Sequence, residues 1–516
     1  MEKHNKRHTL ERILLISFLF IIQIIWFIFL FANMVQYSVW MNASLLMISA
    51  VMIMYLLRKN ESPAYRMGWI SLMALFPMLG GLLYLLIGNK RPTKNMKRKI
   101  NNQISKYIQE LQQVTSQEQA LKNVDERAAG ISHYLTEYEF MPVFSHTQVE
   151  YYGSGETVID QIVKDLQQAK KYIFIEFFII DYGHMYDKIF DVLKEKAKQG
   201  IDVRLIYDDF GCIARLPKNF DQECESLGIK TVKFNPVKPF ISMAYNTRDH
   251  RKFIIIDGQV GYTGGMNIAD EYINAIKRFG YWKDNMIRMA GPGVWGITNL
   301  FLHMWNAFYE EKDETYRNFR PWENQSEWDR QFVKTSGFVQ SFGDSPLDQE
   351  ALGENIYRNL IDMATTDICI YTPYLVISYE LQTSLELAAK RGVRVRIITP
   401  GIPDKPIIFR ITRSYYRSLL ESGCEIYEFS PGFLHAKTII VDGKIAMVGT
   451  INLDYRSLYL HFETATLMYY HPVVKEIQSD FEESVAQSRQ IAFINLNQSI
   501  FGEMFDSILR LFAPFV

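Results

Sequence analysis

Net charge is what this chain has least of. Its 56 Lys and Arg face 57 Asp and Glu, leaving −1 over 516 residues and a pI of about 6.8, so the global basic footprint of a nucleic-acid binder is missing. Cysteine is scarce as well. Cys212, Cys224, Cys369 and Cys424 form no CxxC and no His/Cys cluster, which argues against a disulfide framework and against zinc and suits a reducing compartment. No group of Asp, Glu, His or Cys has metal-ligand spacing, so neither metal nor cofactor is expected.

Charge is wholly absent from 13–33, a run long enough to cross a bilayer. Two more apolar runs, 39–57 and 67–88, follow after short polar breaks, and 1–89 reads as a membrane anchor. A cleaved signal peptide is not expected, because the first run exceeds the usual apolar core of one and no small-residue cleavage site follows. Lys90, Arg91, Lys94, Lys97, Arg98 and Lys99 place the rest of the chain in the cytoplasm. Lys3, Lys6, Arg7 and Arg12 claim the same side, as do Arg58, Lys59 and Arg66, and three full crossings cannot satisfy them all. Pro77 and Gly80-Gly81 would bend the third segment into a re-entrant hairpin. The expectation is a multi-pass cell-membrane protein with its catalytic part inside and the number of crossings open.

Residues 90–145 read as a basic, polar linker, with Ile100, Ile104, Tyr107, Ile108 and Leu111 at helical spacing. From 146 the pattern is α/β. "YIFIEFFII" (172–180) reads as a buried strand, "MYDKIFDVLKEKAKQ" (185–199) as a helix stopped by Gly200, and "IDVRLIY" (201–207) as the next strand. The order returns in "DICIYTPYLV", "YELQTSLELAAKR" and "VRVRIIT", and 197–206 aligns on 389–398 without a gap. The soluble part is therefore two homologous βαβ-rich halves, 146–309 and 336–516, forming one catalytic unit across a charged linker, 310–335. Near the C-terminus Phe501, Phe505, Ile508 and Phe512 share a helical face, expected to dock on the domain in preference to the membrane.

Each half carries one motif. "HRKFIIIDG" (250–258) runs on to Gly264, Gly265 and Asn267; "HAKTIIVDG" (435–443) runs on to Gly449, Thr450 and Asn452. Two residues apart on a strand, His250 and Lys252 share a face, as do His435 and Lys437, whereas Asp257 and Asp442 have the opposite parity. Asp-Gly is a hairpin signal, so these aspartates complete the candidate catalytic set as braces of the turn. Gly264 and Gly449 would let backbone approach an anion, and Asn267 and Asn452 would donate to it. Two imidazoles, two ammonium groups and two amides suit a phosphodiester: one neutral histidine attacks phosphorus, the other protonates the leaving alkoxide, and the lysines hold the non-bridging oxygens. Asp284 and Glu463 are acids near the motifs that could orient an imidazole. His303, His461 and His471 lack the support of the repeat and read as structural.

The doubled His-x-Lys-x4-Asp-x6-Gly-(Gly/Thr)-x-Asn pattern resembles the phospholipase D superfamily over nearly all of the chain after 146. The flanks "WISLMALFPMLGGLLYLLIGNKR", "YWKDNMIRMAGPGVW" and "GTINLDYRSLYLHFE" are similar to the bacterial cardiolipin synthases within it. That resemblance implies phosphatidyl transfer between two phosphatidylglycerol molecules through a phosphohistidine, with glycerol released, no metal, and phosphatidylglycerol and anionic lipids as partners. It favours His250 as the nucleophile and His435 as the acid/base, an order that the sequence itself leaves open. Family members commonly show two membrane segments, so 13–33 departs from the pattern. Three rivals remain: a nuclease, against which the near-neutral charge and the membrane segments speak; a phospholipase using water as acceptor; and a non-catalytic lipid-binding scaffold, which would not need both His-Lys pairs.

Overall fold

Strand order makes the repeat visible. The computed structural model describes residues 21–22, 25–26 and 35–515, apart from 60–61, 77–79, 82, 89–93, 112–115, 238–245, 314, 323–326, 328–334, 348–349 and 497–498. One sheet runs Gln148–Tyr152, Met286–Ala290, Val260–Gly264, Lys252–Ile256, Tyr172–Phe177, Asp202–Asp208, Lys230–Phe234. The other runs Phe338–Asp344, His461–Tyr469, Ile445–Gly449, Thr438–Val441, Asp367–Tyr371, Arg394–Pro400, Glu425–Phe429, with Ser488–Gln490 added at the edge. The two orders match strand for strand. In each, the last three of these seven strands are parallel and the motif hairpin pairs antiparallel, so each half is a mixed sheet with a βαβ portion.

The expected elements form because their burial demands it. Tyr172–Phe177 is buried at every position, as a strand covered on both faces must be. Helix His184–Lys198 ends before Gly200, whose φ of +84° reverses the chain. The amphipathic run of the linker is helix Lys94–Leu111, with Met96, Ile100 and Gln103 buried. It packs on Val294–Phe308, a helix buried almost all round that also touches strands of both sheets.

Residues before about 91 and after about 506 belong to a separate compact unit. There helices Val35–Leu57 and Pro63–Leu75 and the turn Tyr84–Gly88 bury Leu56, Tyr65, Trp69, Met73 and Tyr84, with Phe515 packed edge-on against Tyr65 and Trp69. Among the described residues no helix is long and apolar enough to cross a membrane. Most of the expected segment 13–33 lies outside the described residues, as does Pro77. Helix Pro63–Leu75 stops early, and Gly80 returns onto Leu72 and Met73, where a Cβ would come within 2.8 Å of backbone. A straight helix could not make that approach. Part of the expected linker 310–335 also lies outside the described residues; Tyr316–Phe319 within it is a turn of 3-10 helix.

The C-terminal helix, Ile500–Phe512, corrects an expectation. It docks by its charges, Asp506 to Arg410 (2.6 Å) and Glu503 to Arg417 (2.6 Å). Its apolar face looks outward: Phe501 is 83% exposed, and Met504, Phe505 and Ile508 are exposed too.

Candidate active site

The histidines do not sit on the motif strands. Strand Arg248–Asp249 pairs in parallel with His461–Phe462 of the other half, and strand Lys252–Ile256 pairs with its own sheet. His250 occupies the break between them, and its N–H donates to Phe462 O (2.9 Å). The second half repeats the device in mirror order. Gly432–Leu434 pairs with Tyr281–Lys283, Thr438–Val441 returns to its own sheet, and His435 N–H donates to Lys283 O (2.7 Å). Each histidine is thus carried to the residue just before the other half's acid.

The result is a crossed pair of dyads. His250 Nδ1 stands 2.9 Å from both oxygens of Glu463, and His435 Nδ1 stands 2.7 Å from Asp284 Oδ2. A carboxylate at Nδ1 accepts its proton and leaves the Nε2 lone pair free. Lys252 Nζ donates to His250 O (2.6 Å), and Lys437 Nζ donates to His435 O. Lys437 Nζ is also 2.8 Å from His435 Nδ1, but that nitrogen's one proton already serves Asp284.

Burial governs the protonation. It pushes His250 down to about 3 and His435 to about 4, past the opposing pull of Glu463 and Asp284, so both imidazoles are neutral at pH 7. It lowers Lys252 to about 8 and Lys437 to about 7. Burial, the largest single influence, would raise the two carboxyls, but His435, Lys437 and the Asn285 N–H together outweigh it at Asp284, and His250 and His461 together outweigh it at Glu463, so both lie below the ordinary carboxylate range.

The remaining motif residues stand further off. Asp257 and Gly258 have φ of +52° and +67°, Asp442 and Gly443 +52° and +61°, as the mirror-image hairpin turn requires. Asp257 accepts from the backbone N–H groups of Lys170, Lys171 and Tyr172. Asp442 accepts from those of Thr365, Thr366 and Asp367 and from both threonine hydroxyls. Neither aspartate is brought to the imidazoles.

Close packing of strands by itself requires glycine at 264 and 449: a Cβ would lie 2.4 Å from Asn285 O or 2.3 Å from Thr464 O. Asn267 turns into its own half, accepting from Ile179 N (2.9 Å) and donating to Tyr272 Oη (2.7 Å). Asn452 is nearly buried and its Oδ1 makes no hydrogen bond.

Sequence reasoning missed the partners of the acids. Thr450 Oγ1 and Ser457 Oγ donate to Glu463 (2.5 and 2.7 Å). Asp284 instead passes over Gly265, where a Cβ would lie 2.0 Å from Oδ1. The signal was the one variable motif position, Gly265 against Thr450: glycine admits one acid and threonine ligates the other. Reasoning also set His461 aside, yet its ring centroid lies 5.7 Å from that of His250 and its Nδ1 is 3.5 Å from Glu463 Oε1. His250, His461 and Glu463 bring three possible metal donors within 4.8 Å of one another, a cluster that linear spacing does not reveal. His471 stays structural, on Thr147 O (3.1 Å), and His303 is buried beside Tyr316.

Comparison with known proteins gives the family. Residues 162–277 and 357–485, one stretch per half and each containing a motif, match the family described as "Cardiolipin synthase, PLD-like domain", and 46–89 match "Phospholipase D-nuclease N-terminal". A protein of Streptococcus mutans is 38% identical over 90% of this chain and 99% of its own. A cardiolipin synthase of Alkalihalophilus pseudofirmus is 32% identical over 88% of this chain and 90% of its own. The phosphatidylserine synthase of Haemophilus influenzae shares the fold, with a TM-score of 0.54 at 16% identity over 75% of this chain and 98% of that one. With two complete motifs meeting in one site and relatives of this extent, the chain belongs to the cardiolipin synthase family of the phospholipase D superfamily.

Proposed function

We propose that the protein is a phosphatidyltransferase that joins two phosphatidylglycerol molecules into cardiolipin and releases glycerol. The observation that carries this is the crossed pairing of the two histidines with Glu463 and Asp284. His250 Nε2 attacks the phosphorus of the donor lipid, and the bond to the glycerol oxygen breaks as His435 delivers a proton to it. His435, now a base, takes the proton from a hydroxyl of the second phosphatidylglycerol. That oxygen attacks the phosphohistidine, and cardiolipin leaves with His250 regenerated.

Charge balance explains how a neutral His435 becomes an acid. Asp284 and Glu463 are matched by Lys252 and Lys437, so an arriving phosphodiester leaves one negative charge uncompensated in a buried site. Uptake of one proton, on His435, restores neutrality. The lysines then hold the non-bridging oxygens.

The site works on a membrane in this reading. The exposed apolar residues of helix Val35–Leu57, among them Trp40, Met47 and Val51, and the outward face of Ile500–Phe512 support seating in lipid. Phosphatidylglycerol vesicles with purified protein test the reaction: cardiolipin and glycerol in equal amounts, with little phosphatidic acid, are expected. Chiefly phosphatidic acid makes it a phospholipase, and unchanged lipid makes it a scaffold.

A further inference from the structure

The two dyads are not alike two residues before the acid. Trp282 precedes Asp284 and lies 5.5 Å, centroid to centroid, from His435; His461 precedes Glu463 and lies 5.7 Å from His250. An indole has no lone pair to give a metal, and an imidazole has one. Only the His250 side therefore assembles three donors. We propose that His250, His461 and Glu463 form a binding site for a zinc-class divalent transition metal, which switches the enzyme off.

Two of the three donor edges have the right length. Donors at 2.0–2.2 Å on a tetrahedral ion lie about 3.3 Å apart; the edges here are 2.9 Å between His250 Nδ1 and Glu463 and 3.5 Å between His461 Nδ1 and Glu463, with all three donors within 4.8 Å of one another. Two imidazoles and one carboxylate suit zinc, with the fourth position left to water. Thr450 and Ser457 already hold Glu463 from behind, as an outer shell does. Nearby positive charge is partly matched: Arg251 lies against Asp249 and Glu176, and Lys252 turns to His250 O. Among the described residues the second dyad has no third donor, and Lys437 crowds its Nδ1.

The consequence for His250 follows from its single ring proton. In the free enzyme that proton sits on Nδ1 and is accepted by Glu463. When Nδ1 ligates a metal, the proton moves to Nε2 with no net loss from the ring. The nitrogen that attacks phosphorus is then capped. Binding stands on the donor geometry alone, whereas inhibition rests also on the nucleophile assignment above.

The test uses the full-length enzyme, with Co2+ as a spectroscopic probe and Zn2+ as the inhibitor. In the wild type, one equivalent of Co2+ should give the intense visible bands of a tetrahedral ion. Zn2+ should stop phosphatidylglycerol turnover, and EDTA should restore it. His461→Asn should keep turnover without metal, lose those bands, and need at least about tenfold more Zn2+ for the same inhibition. Unchanged bands or unchanged zinc sensitivity in that variant overturns the site. Loss of metal-free turnover in both His461→Asn and His461→Gln also overturns it, since the imidazole then serves the reaction itself. Wild type that shows the bands yet turns over normally when loaded keeps the site and sinks the His250 assignment instead.

Discussion

Arg251 stands between His250 and Lys252 and touches neither partner acid of the dyads. It turns the other way, its Nε 3.0 Å from Asp249 and its Nη2 2.7 Å from Glu176, all of them buried. The equivalent position in the second half is Ala436, fully buried. Removing one member of a buried ionic group strands the others, so Arg251→Ala should cost about 3–5 kcal/mol in denaturant unfolding, against a small effect for an arginine in an exposed pair such as Arg394 with Glu425. A loss below about 1 kcal/mol would mean that water reaches the carboxylates. The lysines give a second expectation. Free-enzyme Lys437 and Lys252 lose their protons as pH rises through about 7 and 8, so kcat/KM should fall above pH 7. A bound phosphodiester stabilises both ammonium groups, so kcat should hold to higher pH. A flat kcat/KM from pH 6 to 9 would remove the lysines from the charge account. At this scale sequence parity was a sound guide for Asp257 and Asp442, because a hairpin turn is local. It says nothing of Asn267, whose partners Ile179 and Tyr272 are set by packing.

Elements were legible where burial is periodic or continuous. The runs at 172–180 and 201–207 became strands Tyr172–Phe177 and Asp202–Asp208 within a few residues. The break that carries each histidine was not legible, since "HRKFIIIDG" reads as one strand until the other half supplies a partner for Arg248–Asp249. The C-terminal helix shows the opposite lesson: its apolar stripe was evident, but which side would meet the protein depended on Arg410 and Arg417, nearly a hundred residues away. With Asp506 and Glu503 satisfied there, the exposed phenylalanines are available to lipid. Phe501→Asp should lower turnover on vesicles by about tenfold or more, a fully buried Phe contributing about 1.5–3 kcal/mol, while turnover in mixed micelles and the melting temperature stay unchanged. Equal losses in vesicles and micelles would assign the face to folding instead.

At the scale of the whole molecule the two halves share one site by exchanging orienting acids, and no reading within a half could have found that. Asp284 lies 17 residues after Asn267 and Glu463 lies 11 after Asn452, so each acid looks like a neighbour of its own motif. In the fold Asp284 orients His435, and Glu463 orients His250. The exchange groups residues by reaction step and not by half, which a substrate with an easy leaving group can expose. Phosphatidyl-p-nitrophenol needs no proton delivered to the group that departs. On that donor His435→Ala and Asp284→Asn should still form a phosphohistidine and stall there, because no base activates the acceptor. His250→Ala and Glu463→Gln should form none, the first lacking the nucleophile and the second losing the carboxylate that fixes its tautomer, a defect of about 10⁴ in a comparable His-Asp pair. If Asp284→Asn blocks phosphoenzyme formation while Glu463→Gln permits it, the nucleophile is His435 and the two halves trade places. If both acid variants trap it equally, the pairs act as one proton reservoir and the division of labour between the histidines fails.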